Sequence, residues 1–105
     1  MTQFDDRERA FEKKFGLDEE FRFKNDVRAA KLFGLWAAGQ MGMAGAEAET
    51  YAVQLSEIAV GKVGHEHLIV KVEQDFKAKG MNFTRHRLEK EMGVCDDTAY
   101  KRAAG

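Results

Sequence analysis

Apolar residues recur along most of this chain at the three- and four-residue spacing of a helix, and no stretch shows the strict alternation of a half-buried strand. A long first helix is expected over residues 18–41. Asp18 is placed to cap it, and Glu19 and Glu20 follow at the positive end of the helix dipole. This helix carries two apolar stripes. One is Phe21, Leu32, Leu35, Trp36 and Gly39, with Arg28 interposed; the other is Phe23, Val27, Ala30, Gly34, Ala37 and Met41. A helix apolar on two sides is central in a bundle or keeps one side for a partner. The small residues Ala30, Gly34 and Ala37 would let a neighbouring helix approach closely.

Gly42 and Gly45 bracket a turn into a second helix over residues 46–60. Its stripe is Ala48, Tyr51, Ala52, Leu55, Ile58 and Ala59. The run Gly61-Lys62-Val63-Gly64 ends it. A third helix, residues 65–79, buries Leu68, Ile69, Val72 and Phe76, with Gly80 placed as its C′ residue. Asn82 or Thr84 caps a fourth helix. There Leu88, Met92, Cys95 and Ala99 lie at i, i+4, i+7 and i+11, so one stripe continues through Gly93. The fold class that results is all-α: a four-helix antiparallel bundle over residues 18–105, preceded by an N-terminal helical arm over residues 1–17.

The arm stands apart from the rest. Phe4, Phe11 and Phe15 fall at i, i+7 and i+11, one face of a helix, within a densely charged stretch that Gly16 interrupts. So short a helix does not hold alone in water. It either folds back on the bundle as a flap or docks, through its aromatic anchors and charged rim, in a groove of a partner. The two roles are compatible, since a flap can be released.

Composition narrows the function. The 105 residues suffice for one domain, and the absence of proline suits long helices. Residues 1–32 hold eight acids and eight bases, residues 33–61 three acids and no base, and residues 62–105 nine bases and seven acids. The middle is therefore the expected core. A net charge of −1 lacks the basic surplus that a duplex binder needs, and Glu89 and Glu91 dilute the basic Thr84-Arg85-His86-Arg87 run, so no nucleic-acid partner is expected. The start MTQFDDRERAF has acids at once and no apolar segment, which is not a signal peptide, and no apolar run approaches the roughly 20 residues that span a bilayer. The protein is expected to be cytoplasmic and not membrane-embedded.

Catalytic or metal-binding patterns are weak. His65 and His67 are two apart, which a helix sends to different sides, His86 is distant, and neither CxxC nor HExxH spacing occurs. The three histidines read as solvated surface residues, and no metal site is expected. The single cysteine, Cys95, reads as a small core residue of the fourth helix and not as a nucleophile. No glycine-rich phosphate loop is present, and the stretch AAGQMGMAG reads as a turn.

Three runs carry a family resemblance: FDDRERAFEKKF (Phe4–Phe15), DEEFRFK (Asp18–Lys24) and KLFGLWAAGQMG (Lys31–Gly42). They closely resemble the ζ subunit of alphaproteobacterial F1Fo-ATP synthases, an ATPase inhibitor and not an enzyme. The resemblance is dense over residues 4–42, with FDDRE and GLWAA its specific parts. It implies a four-helix bundle with a mobile N-terminal inhibitory region, roughly residues 1–19. That region would insert at an α/β catalytic interface of F1 near the γ stalk and block ATP hydrolysis. The implied partner contacts are Phe4, Arg7, Arg9, Phe11, Lys13, Lys14 and Phe15. The implied partners are the α, β and γ subunits of F1, which place the protein peripherally at the inner membrane. No cofactor is implied. The alternative is a small helical module that binds ADP or ATP, weakly, without strong inhibition.

Overall fold

A computed structural model describes residues 15–61 and 65–104. Its four helices are α1 (Phe15–Gln40), α2 (Ala46–Gly61), α3 (Glu66–Ala78) and α4 (Arg85–Ala104). No strand occurs among the described residues. The described residues adopt the expected all-α architecture, with four helices among them. The predicted arm lies outside the described residues except where α1 already includes Phe15 to Leu17.

That inclusion corrects one expectation. Asp18 lies inside α1, not at its N-cap, and Gly16 does not break the helix. A glycine in a helix interior costs about 1 kcal/mol relative to alanine, too little by itself to end a helix.

Two helices stop in the same way. At the end of α3 the Met81 N–H donates to Phe76 O at 2.9 Å and the Gly80 N–H to Lys77 O at 3.0 Å. At the end of α1 the Met43 N–H donates to Ala38 O at 2.9 Å and the Gly42 N–H to Gly39 O at 3.1 Å. This crossed pair satisfies carbonyls that the helix leaves open, and it needs a left-handed residue at C′. Gly42 and Gly80 supply it, at φ 86° and 73°. Both methionines pack against the core, which adds the apolar contact usual for this ending. Thr84, one of the two expected caps, opens α4: its Oγ1 accepts from the Arg87 N–H at 3.1 Å.

α1 packs most extensively against α2 and α4, and α3 closes the bundle against α4 and α2. The contact between α1 and α2 is close because it is built on small residues. A Cβ added at Gly34 would lie 2.7 Å from the Ala52 Cα. The stripes predicted for α2, α3 and α4 are the buried ones: Tyr51, Ala52 and Leu55; Leu68, Ile69, Val72 and Phe76; Leu88, Met92, Cys95 and Ala99.

For α1 the expectation is only half right. Ala30, Gly34 and Ala37 are buried as predicted, but Phe23 is 49 % exposed and Phe33, assigned to neither stripe, is completely buried. The core face of α1 is Ala29, Ala30, Phe33, Ala37 and Ala38, a broad strip wide enough to meet α2 and α4 together. Around Phe33 the large rings gather. Trp36 stacks on it at 5.9 Å between centroids, and Phe76 and Phe83 meet edge to face at 4.9 Å. Trp36 touches both, at 6.0 and 5.9 Å. Such pairs add roughly 0.5–1.5 kcal/mol each beyond the area they bury.

Candidate functional site

The predicted partner contacts Phe4, Arg7, Arg9, Phe11, Lys13 and Lys14 lie outside the described residues. Phe15 is the first residue of α1, and its side chain is likewise outside the description.

Further along α1 the exposed side is not a plain solvated face. Phe23 and Val27, with Val60 and Ser56 from α2, form an open apolar groove rimmed by Lys24, Arg28 and Lys31. Val60 is 57 % exposed. Lys24 pairs loosely with Glu20 at 3.7 Å and Lys31 with Glu49 at 3.9 Å, both in solvent. Among the described residues no carboxylate lines the groove itself. An apolar strip between cations is suited to the apolar side of an acidic segment. The sequence contained the signal for this surface, since Phe23 is flanked by Arg22 and Lys24, but the stripe assignment placed Phe23 inside.

Three polar clusters tie the helices together. Arg85, at the start of α4, forks onto Glu66 at 2.6 Å and Glu73 at 2.8 Å of α3. The bonds to Glu73 and then Glu66 push its already high pKa further up. The Tyr51 hydroxyl on α2 donates to Asp75 of α3 at 2.6 Å, and Lys71 pairs with the same carboxylate oxygen at 3.1 Å. Burial first, then the hydrogen bond and charge of Asp75, raise the tyrosine pKa well above its usual value.

The third cluster joins elements that the sequence could not relate. His65 is the N-cap residue of α3, yet its side chain makes no capping bond. Its Nε2 instead lies 3.7 Å from Asp26 Oδ1 of α1 and 3.8 Å from Asp96 Oδ1 of α4. Asn25, 6 % exposed, donates from Nδ2 to that same Asp96 oxygen at 3.1 Å. His65 is thus not the freely solvated residue that spacing predicts, and no local pattern could have shown it.

Cys95 lies in the core as predicted. Burial, then the charges of Glu91 and Asp96, push its pKa up to about 12. A nucleophilic cysteine needs the opposite shift, so Cys95 is a packing residue. Among the described residues no helix is long and apolar enough to cross a membrane.

Comparison with known families gives a direct result. The family model for ATPase inhibitor subunit zeta matches residues 1–102. No curated protein and no solved structure matches the chain. The family match covers α1 to α3, α4 as far as residue 102, and also the N-terminal segment, where the FDDRERAFEKKF run carries the resemblance read from the sequence. By its description this is a family of regulators, inhibitor subunits of an ATPase, and not of catalysts. Covered by that match over all but its last three residues, the chain belongs to the ATPase inhibitor subunit zeta family.

Proposed function

We propose that the protein inhibits ATP hydrolysis by an F1Fo-ATP synthase, with its N-terminal segment inserted at an α/β catalytic interface of F1 beside the γ stalk. The observation that carries this reading is the family match, which begins at residue 1 and so includes the aromatic and charged segment together with the bundle. In this reading the bundle is the holder and the segment is the wedge. Phe4, Phe11 and Phe15 are the apolar anchors, and Arg7, Arg9, Lys13 and Lys14 form the charged rim.

The physics of the block is stabilisation of one state. A rotary catalyst cycles its interfaces between open and closed forms. A helix that binds one form better than the others lowers that form in free energy and halts the cycle. Ordering the segment costs conformational entropy, and burial of its phenylalanines, at roughly 1.5–3 kcal/mol each, offsets that cost. F1 is peripheral to the membrane, which would place this protein at the cytoplasmic face of the inner membrane without a span of its own.

A photo-reactive residue in place of Phe11 tests the placement. Irradiation with purified F1 is expected to cross-link it to the α or β subunit at their interface, with γ in reach. Cross-links confined to the outer surface of F1, away from that interface, would refute the insertion.

A further inference from the structure

We propose that Asp26, His65 and Asp96 form a binding site for one divalent transition-metal ion of the Zn2+ class, with the Asn25 amide as a fourth donor. The three residues come from three helical elements: the middle of α1, the N-cap of α3 and the middle of α4. Each offers one ligand atom, and these atoms lie within 4.8 Å of one another. The two imidazole–carboxylate separations are 3.7 and 3.8 Å. Ligand atoms held tetrahedrally at about 2.1 Å from an ion are roughly 3.4 Å apart, so the two imidazole–carboxylate edges need contract by only about 0.3–0.4 Å, and the carboxylate–carboxylate edge, within 4.8 Å, by up to about 1.4 Å.

Four observations raise this above a chance cluster. His65 occupies a helix N-cap, where serine, aspartate or asparagine would stabilise the helix, yet it makes no capping bond and turns its ring toward the two aspartates. Among the described residues neither Asp26 nor Asp96 pairs with a lysine or arginine, so two carboxylates converge with no fixed cation between them. Asn25 is nearly wholly buried, its side chain reaches into the cluster at Asp96, and its Oδ1 has no hydrogen-bond partner. A half-turn of that amide would present the oxygen to an ion held by Asp96, in exchange for the present Asn25–Asp96 hydrogen bond. The cluster also opens to solvent along a groove bordered by Phe21, Arg22, Asp97 and Tyr100, which provides the entry path a metal needs.

The donor set selects the ion. One imidazole nitrogen with carboxylate and amide oxygens suits Zn2+, Co2+ or Ni2+, whereas Mg2+ and Ca2+ favour oxygen alone. Binding would pin the start of α3 to the α1–α4 pair.

The test is a ZnCl2 titration of the full-length isotopically labelled protein, followed by imidazole and amide NMR. One equivalent is expected to shift the His65 ring signals, with those of His67 and His86 unmoved, and to raise the melting temperature. An excess of MgCl2 is expected to leave the Zn2+ shifts in place. His65→Ala and Asp26→Asn should each weaken Zn2+ binding by roughly tenfold or more. His67→Ala should leave it unchanged. Circular dichroism confirms that each variant is folded, and having two variants on different helices protects the test against the failure of one. No saturable binding in the wild-type protein, a shift centred on His67 or His86, or undiminished binding in both folded variants would each overturn the proposal.

Discussion

Replacing Gly34 by alanine tests the close approach of α1 and α2, and the structure sets the size of the effect. The new methyl carbon would lie 2.7 Å from the Ala52 Cα, 3.3 Å from the Leu55 Cγ and 3.4 Å from the Ala52 Cβ. Carbon atoms in comfortable contact are about 3.5–4.0 Å apart. The nearest atom is backbone, so no rotamer change relieves the clash; α2 itself must move away by the better part of an ångström. Tyr51, Ala52 and Leu55 move with it, and a gap of 0.5–1 Å forfeits about a quarter to a half of each affected contact. Overpacking of this kind costs about 1–3 kcal/mol. Alanine also gains about 1 kcal/mol over glycine as a helix former, and that gain hides part of the cost. Gly93 of α4 isolates it, since a Cβ there meets nothing within 4 Å. Gly93→Ala is therefore expected to stabilise by about 1 kcal/mol, and Gly34→Ala to fall about 2 kcal/mol below it. With a urea dependence of roughly 1–2 kcal/mol per M, the two unfolding midpoints should differ by roughly 1–2 M when followed by circular dichroism. Equal midpoints would show that α1 and α2 do not meet at Gly34, and the packing described above would be wrong.

Other substitutions and conditions discriminate further. Phe33→Ala should cost about 3–5 kcal/mol, as loss of a buried ring does, while Phe23→Ala should stay within about 0.5 kcal/mol of wild type; thermal melts of the two variants check the order. Thr84→Ala should remove the cap of α4 at a cost of about 1 kcal/mol in the same melts. The unfolded Cys95 thiol loses its proton near pH 9.0 and the folded one only near pH 12, so above pH 9 the folded state holds the extra proton and stability falls as pH rises. That loss reaches about 1.4 kcal/mol by pH 10. Denaturation of Cys95→Ala beside wild type at pH 8 and pH 10 should show a fall that is smaller in the variant by this amount.

The parts of the fold that could be read in advance are those with a single buried face. In α2, α3 and α4 one stripe at helical spacing meets one core, and Leu55, Phe76 and Met92 all sit where the pattern puts them. The ends of α1 and α3 were equally legible, because Gly42 and Gly80 are the residues a left-handed C′ position demands. α1 was harder because apolar residues surround it, and periodicity alone cannot say which of its rings faces the neighbours. Phe33 is completely buried on the core strip of α1, whereas Phe23 borders an open groove between α1 and α2. Asp18 misled because an acid followed by acids reads as a cap, although acids serve equally well inside a first turn. The cluster of Asp26, His65 and Asp96 depends on three elements far apart in the chain, and local spacing carries no trace of such a meeting. The family match also covers the segment with Phe4, Phe11 and Phe15, whose expected shared helical face lies outside the description.

The most direct measurement of the central claim is steady-state ATP hydrolysis by purified F1 titrated with the intact protein and with a version lacking residues 1–15. The intact protein is expected to lower hydrolysis in a saturable way. The shortened one is expected to remain helical by circular dichroism, with no effect on the enzyme. Equal inhibition by both would show that the N-terminal segment is not the wedge, and no inhibition by the intact protein would contradict the proposed function itself.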